Sequence, residues 1–228
     1  YLFRKNMLVL LGIGALLILG LLFSFSRSAF LALGGGILVF LSLSDKKIRF
    51  QHVLLWGSVV LFLVVLFNLQ DVLFDRFFGG NDPNATVERL EYLDTGKRML
   101  MAYPFGIGLG HFTLVMQDFM IQSADPWLLQ PVHNVVLLIM NEAGILAGGV
   151  FVGLLCVVFV QLLRGLKMQK EDAKSFASVS IALLSVLAFI MLFDHYFFTL
   201  YAGQTVLFLY LGVVSDSLNN DLLPRKKS

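Results

Sequence analysis

The 228-residue chain is 58% hydrophobic and only 14% charged, contains 22 Phe and has a mean hydropathy of +0.83. A soluble domain carries roughly 25% charged residues, so the composition excludes one and points to a polytopic helical membrane protein. The net charge of +2 says little in itself, and the single cysteine, Cys156, lies in an apolar run and excludes a disulfide framework or a cysteine metal centre.

The chain starts at Tyr1 and runs into an apolar segment almost at once. Nothing there resembles a cleavable signal peptide, and the N-terminal part of a longer protein is expected before it. Continuous apolar runs exclude an alternating membrane barrel. A helix crossing the hydrocarbon core needs about 20 mostly apolar residues. On that basis six spans are predicted at Met7–Phe25, Ala29–Leu43, His52–Leu69, Val132–Leu155 (extending as far as Leu163), Phe176–Phe193 and Thr205–Leu218. The fold class is all-α and polytopic, with about six transmembrane helices and one long extracytoplasmic loop containing amphipathic helices. The whole chain, 1–228, reads as a single membrane domain. Residues 1–69 hold the first three spans, 70–131 the loop, 132–218 the last three spans and 219–228 a cytoplasmic tail. Gly34-Gly35-Gly36 in the second span invites close packing of another helix.

Basic residues set the orientation. Twelve Lys/Arg fall in one alternate set of connections: Arg4, Lys5, Lys46, Lys47, Arg49, Arg164, Lys167, Lys170, Lys174, Arg225, Lys226 and Lys227. Five fall in the other: Arg27, Arg76, Arg89, Lys97 and Arg98. Both termini are therefore expected in the cytoplasm. Ser26-Arg27-Ser28, the long loop and Asp194-His195 are expected outside.

Within the loop, Val87–Met101 has apolar residues at helical spacing (Val87, Leu90, Leu93, Met99–Met101) and predicts an amphipathic helix near the interface. Asn81-Asp82-Pro83-Asn84 predicts a turn before it, Thr86 a cap, and Pro104 its end. Gly106, Gly108 and Gly110 permit backbone conformations closed to other residues. This glycine run follows no strand and faces outward, so it is not read as a nucleotide loop.

Most groups able to do chemistry cluster outside. Arg27, between the first two spans, is either an interfacial arginine snorkelling to headgroups or a phosphate ligand. Arg89 opens the amphipathic helix, with Lys97 on roughly the same side and Arg98 next to it. They form either a solvated face on anionic lipid or an anchor for an anionic substrate. His133-Asn134 begins the fourth span, and an imidazole can act as a base at neutral pH. Four histidines without a ligand spacing such as HxxxH argue against a metal site. Glu142 is nine residues on, ~13 Å deeper and on the opposite helix face. It favours a structural role, with Asn141 or a basic group as partner. His195, with Asp194 beside it to raise its basicity, is the competing histidine.

In order, Ser26-Arg27-Ser28-Ala29, Arg89, Pro104-Phe105-Gly106-Ile107-Gly108-Leu109-Gly110-His111-Phe112 and His133-Asn134 with Glu142-Ala143-Gly144 resemble the O-antigen ligase and polymerase superfamily. Its pattern is a Ser-Arg-Gly/Ser motif at the outer end of a span, a loop arginine, a Pro-x-Gly-x-Gly segment, and His-Asn followed at fixed spacing by Glu-x-Gly. Tyr92 and Leu93 stand where a Trp is common after the loop arginine, and Ser28 stands for the commoner Gly. These departures put acceptor specificity in doubt. Members have about twice as many spans, so the chain resembles a C-terminal half.

The resemblance implies a metal-independent, inverting glycosyltransferase of a bacterial inner membrane, with its active site on the extracytoplasmic face and no cofactor. The donor would be a glycan on undecaprenyl diphosphate, and the acceptor a glycan, lipid or protein; nothing implies nucleic acid. Arg27 and Arg89 would hold the diphosphate, and His133 would be the general base or acceptor-orienting group. Arg98, Lys97, Asn134, His195 and Asp194 would line the substrate site. A repeat-unit polymerase shares the donor. A lipid-linked glycan transporter needs a polar path through the spans, which are almost free of charge. A purely structural membrane subunit is a third reading.

Overall fold

The computed structural model describes residues 7–44, 46–79, 83–120, 125, 129–168 and 171–222, without the side chains of 7–8, 46–53, 83–86 and 218–222. Asn81, Asp82, the terminal basic clusters and the side chains of Thr86 and His52 therefore lie outside the described residues. Among those described every regular element is helical. The chain forms two compact units, residues 1–81 and 82–228, so the segment predicted as one loop is shared between them.

The first unit contains α1 (Met7–Ser24), α2 (Arg27–Leu43), α3 (Lys46–Leu66) and α4 (Gln70–Phe78). Its core is Leu22, Leu63 and Leu69, with Ile18, Phe30, Val59 and Leu73 packed around them. Ser26 caps α2 by accepting a hydrogen bond from the Ala29 N–H at 3.3 Å, which satisfies one of the donors a helix start leaves open. The third predicted span ends early. Asn68 takes a left-handed conformation with φ 52°, which asparagine tolerates better than most residues. The chain then bends by 104° between Leu54–Leu66 and α4. Gly36 is buried, but a Cβ at Gly34 or Gly35 would meet nothing within 4 Å, so close packing reaches only one of the three glycines.

The second unit runs through α5 (Pro83–Ala102), α6 (Phe112–Val115) with a following 3-10 turn, α7 (Val135–Ala143), α8 (Ile145–Gly165), α9 (Glu171–Phe193), α10 (Tyr196–Thr199) and α11 (Tyr201–Leu222). The predicted amphipathic helix is present but starts at Pro83. Proline has no N–H to lose at a first helical position and its φ suits the helix, so Thr86 lies inside α5 and not at its cap. The packed face also differs from the predicted one. Val87 and Leu90 are exposed, whereas Tyr92, Thr95, Gly96 and Met99 are buried. Tyr92 and Met99 share a cluster with Phe112, Met116, Val132 and Leu138. Burial of the Tyr92 ring raises its phenol above the usual range.

The α8 and α9 helices are long and apolar enough to cross a bilayer, and the bent pair formed by Leu54–Leu66 and α4 would make a third span. Large apolar side chains such as Leu146 (78% exposed) and Val150 (74%) point away from the protein. Water tolerates such patches poorly, and hydrocarbon does not. The chain is a membrane protein. Tyr210 Oη donates to the Ser180 carbonyl at 2.8 Å and ties α11 to α9.

Candidate active site

The fourth predicted span is not one helix. It breaks at Gly144, whose φ of 94° and ψ of 163° are open essentially to glycine alone. A break inside apolar surroundings leaves backbone groups that must find partners. The glycine loop supplies them. Ile107 N–H donates to the Asn141 carbonyl at 2.9 Å and Gly108 N–H to the Glu142 carbonyl at 3.0 Å, while the Pro104 carbonyl accepts Ile145 N–H at 2.9 Å. Glu142 completes the clamp. Its buried carboxylate accepts from Gly110 N–H at 2.8 Å and Phe112 N–H at 3.3 Å. Its partners are therefore backbone donors, not Asn141 or a basic side chain. Gly106 must also be glycine, because a Cβ there would lie 2.6 Å from the Glu142 carbonyl oxygen.

Replacing Gly144 by Ala should therefore destabilise the protein by about 1–3 kcal/mol, the cost of holding a side chain in such a region. A Cβ there would also press on Phe105, 2.9 Å from its carbonyl carbon. Gly149, where a Cβ meets nothing within 4 Å, is the control. Its Ala variant should melt at or above the wild-type temperature in detergent, since Gly inside a helix is worth roughly 0.5–1 kcal/mol less than Ala. Equal melting temperatures for the two variants would remove the break from the fold's requirements.

His133 does not lie in α7 but just ahead of it, so helix-face arithmetic from His133 to Glu142 does not apply. Asn134 is the cap: its Oδ1 accepts Leu137 N–H at 2.9 Å, and its Nδ2 donates to the Leu192 carbonyl at 3.3 Å. The amide thus ties the start of α7 to the end of α9. This brings His133 beside His195, with ring centroids 5.2 Å apart and planes at 70°. His195 Nδ1 lies 2.7 Å from Thr199 Oγ1. Asp194 is 4% exposed, and its Oδ1 accepts the His195 N–H at 2.9 Å.

These groups stand between the α9 and α10 helices and ahead of α7, outside the candidate spans. Burial, then the charges of Arg89 and His195, push His133 down to about 4. It is a neutral imidazole at physiological pH, and its buried Nδ1 has no hydrogen-bond partner among the described residues. Burial also lowers His195, and the opposing pull of Asp194 does not cancel it. Asp194 does raise the basicity of His195, as expected, but burial outweighs that pull. Burial raises Asp194, against the stabilising N–H of His195 and charges of His195 and Arg89. Tyr196 shares a hydrogen bond with Asp194 and is a site residue that the sequence did not single out.

Arg89 is exposed in the second turn of α5, not at its start, yet its charge reaches His133, Asp194 and Tyr196. Lys97 is exposed; Arg98 faces its own helix, with Nε 3.2 Å from Asp94 Oδ2 and Nη2 3.4 Å from Thr95 Oγ1. Arg27 belongs to the first unit. Its Nε donates to the Arg76 carbonyl at 2.7 Å, and Arg76 Nε returns a bond to the Phe25 carbonyl at 3.0 Å. The structure thus gathers Arg89, His133, Asn134, Asp194 and His195, while Arg98 is engaged within α5.

Residues 12–152 match the O-antigen ligase family. The chain belongs to the O-antigen ligase family. No curated protein and no solved structure matches it. In this O-antigen ligase homologue, the family region covers α5, the glycine loop, Glu142 and His133, whereas Asp194, His195 and Tyr196 come from beyond it. The histidine pair is therefore assembled by the fold from distant stretches. His133, Asp194 and His195 offer ligand atoms within 4.8 Å of one another, a spacing that a cation could use and that sequence spacing could not reveal. The positive charge of Arg89 opposes a dication there and favours an anion. Beside this cluster lies an apolar cleft of about 260 Å³, lined chiefly by Val135, Ile139, Phe151, Phe197, Leu207 and Phe208.

Proposed function

We propose that the protein is a membrane glycosyltransferase of the O-antigen ligase type, which moves a glycan from undecaprenyl diphosphate to an acceptor hydroxyl without a metal. The observation that carries the reading is neutral His133, just ahead of α7, within reach of the positive charge of Arg89 on α5. An anionic headgroup suits Arg89, and the adjoining apolar cleft suits the first units of a prenyl chain. The acceptor oxygen attacks the anomeric carbon, its proton passes to a ring nitrogen of His133, and the bond to the diphosphate breaks with its electron pair leaving on undecaprenyl diphosphate. Arg89 neutralises the charge growing on that leaving group. One displacement inverts the anomeric centre. Asp194, His195, Lys97 and Arg98 border the sugar and headgroup.

The proposed setting is a bacterial inner membrane crossed six times by one domain, with both termini in the cytoplasm and the site outside. The uneven distribution of Lys/Arg supports it. Purified protein in vesicles, given a synthetic undecaprenyl diphosphate glycan and envelope acceptors, should form new glycosidic bonds and release undecaprenyl diphosphate. Movement of intact donor across the bilayer without bond formation would favour the transporter reading instead. A repeat-unit polymerase would use a second lipid-linked glycan as acceptor in the same assay.

The pH dependence has a definite sign. The base must be neutral, so activity is present above the pKa of His133 and is lost as pH falls through it. For the free enzyme this places the acid limb of kcat/KM near 4. Bound diphosphate offsets the charge of Arg89, so the limb of kcat should lie at higher pH. Coincident limbs in the two profiles would contradict coupling between Arg89 and His133.

A further inference from the structure

The glycine loop presses its first turn against the start of α8. The Pro104 carbonyl accepts Ile145 N–H, and Gly144 touches the Phe105 backbone. Phe105 is thus level with the first residue of a helix able to cross the bilayer. Its side chain is nevertheless 87% exposed, and that of Leu109 is 69% exposed. The loop backbone is held in place. It is bonded to Asn141, Glu142 and Ile145, and the Glu142 carboxylate grips Gly110 and Phe112. Next along α8, Leu146 and Val150 are likewise apolar and exposed.

We propose that Phe105 is a membrane wedge, seated among lipid acyl chains at the level of Ile145 and held there by the Glu142 clamp. Its backbone abuts the start of α8, whose exposed apolar side chains meet lipid, and that shared level names the occupant. A phenyl ring at the level of Ile145 leaves water for the same hydrocarbon that covers Leu146. The wedge fixes how deep the loop sits. Through Phe112, which packs with Val132, it also sets the height of His133 relative to the bilayer. The inference rests on the membrane placement of α8 and not on the transfer chemistry.

Spin labelling in phosphatidylcholine–phosphatidylglycerol vesicles tests it. Cys156, exposed on α8, gives the lipid reference in the native chain. With Cys156→Ser as background, labels are placed at Phe105→Cys and at Asp118→Cys, an exposed position in the 3-10 turn after α6. The label at 105 should share with Cys156 a high collision rate with oxygen and a loss of contact with a water-soluble nickel chelate; the label at 118 should show the reverse. Adding Glu142→Ala should shift the label at 105 toward the behaviour of 118. Nickel contact at 105 matching that at 118, with Cys156 still in lipid, would overturn the wedge alone. Nickel contact at Cys156 as well would overturn it together with the span. An unchanged label at 105 in the Glu142→Ala protein would overturn the clamp.

Discussion

Substituting His133 by Ala should lower the rate of glycan transfer about 10²–10⁴-fold, the usual cost of losing a general base, while protein level and insertion stay close to wild type. The side chain is half-buried and its Nδ1 has no hydrogen-bond partner among the described residues, so its loss removes chemistry more than structure. His195→Ala should cost less, because the His195 ring is engaged with Thr199 and its backbone with Asp194. Near-normal turnover in His133→Ala, with loss in His195→Ala, would move the base to the partner histidine.

The second large effect belongs to Arg89. Removing a preorganised positive group from a site of developing negative charge costs about 10²–10³-fold, and Arg89→Ala should lose that much. Arg89→Lys should recover only part of it, because an ammonium lacks the planar fork that grips two phosphate oxygens. A second readout separates this role from that of a lipid-facing charge. The charge of Arg89 ranks after burial among the causes that depress His133. Its removal should therefore raise the His133 pKa and move the acid limb of kcat/KM upward. Unchanged turnover and an unchanged limb would reduce Arg89 to a headgroup contact.

Local chemistry carried much of this into the sequence. The apolar runs announce membrane helices. The spacing across Val87–Met101 announces α5. The resemblance of the Pro104–Phe112 and His133–Glu142 segments to O-antigen ligases agrees with the family match over residues 12–152. Positive φ at Gly106, Gly108 and Gly110 agrees with the glycine reading. What stayed hidden depends on partners distant along the chain. Val132–Leu155 is apolar apart from His133-Asn134 and Asn141-Glu142, and no change in composition marks the left-handed turn of Gly144 that divides it. The donors to Glu142 are backbone N–H groups, which leave no mark on residue identity. The buried face of α5 is chosen by Phe112, Met116 and Val132, so Tyr92 and Met99 turn inward and Val87 and Leu90 outward. The histidine pair exists because Asn134 reaches the Leu192 carbonyl, and no spacing rule connects those stretches.

Direct displacement at the anomeric carbon, with His133 as base, leaves a signature in the product. A donor whose glycan is α-linked to undecaprenyl diphosphate can be incubated with the purified protein and a competent acceptor, and the new linkage read by NMR from its anomeric coupling. A hydroxyl activated by one base, attacking as the diphosphate departs toward Arg89, predicts a β-linkage throughout. An α-linked product would mean retention, by double displacement or same-face attack, and would contradict the placing of His133 as base for one back-side displacement.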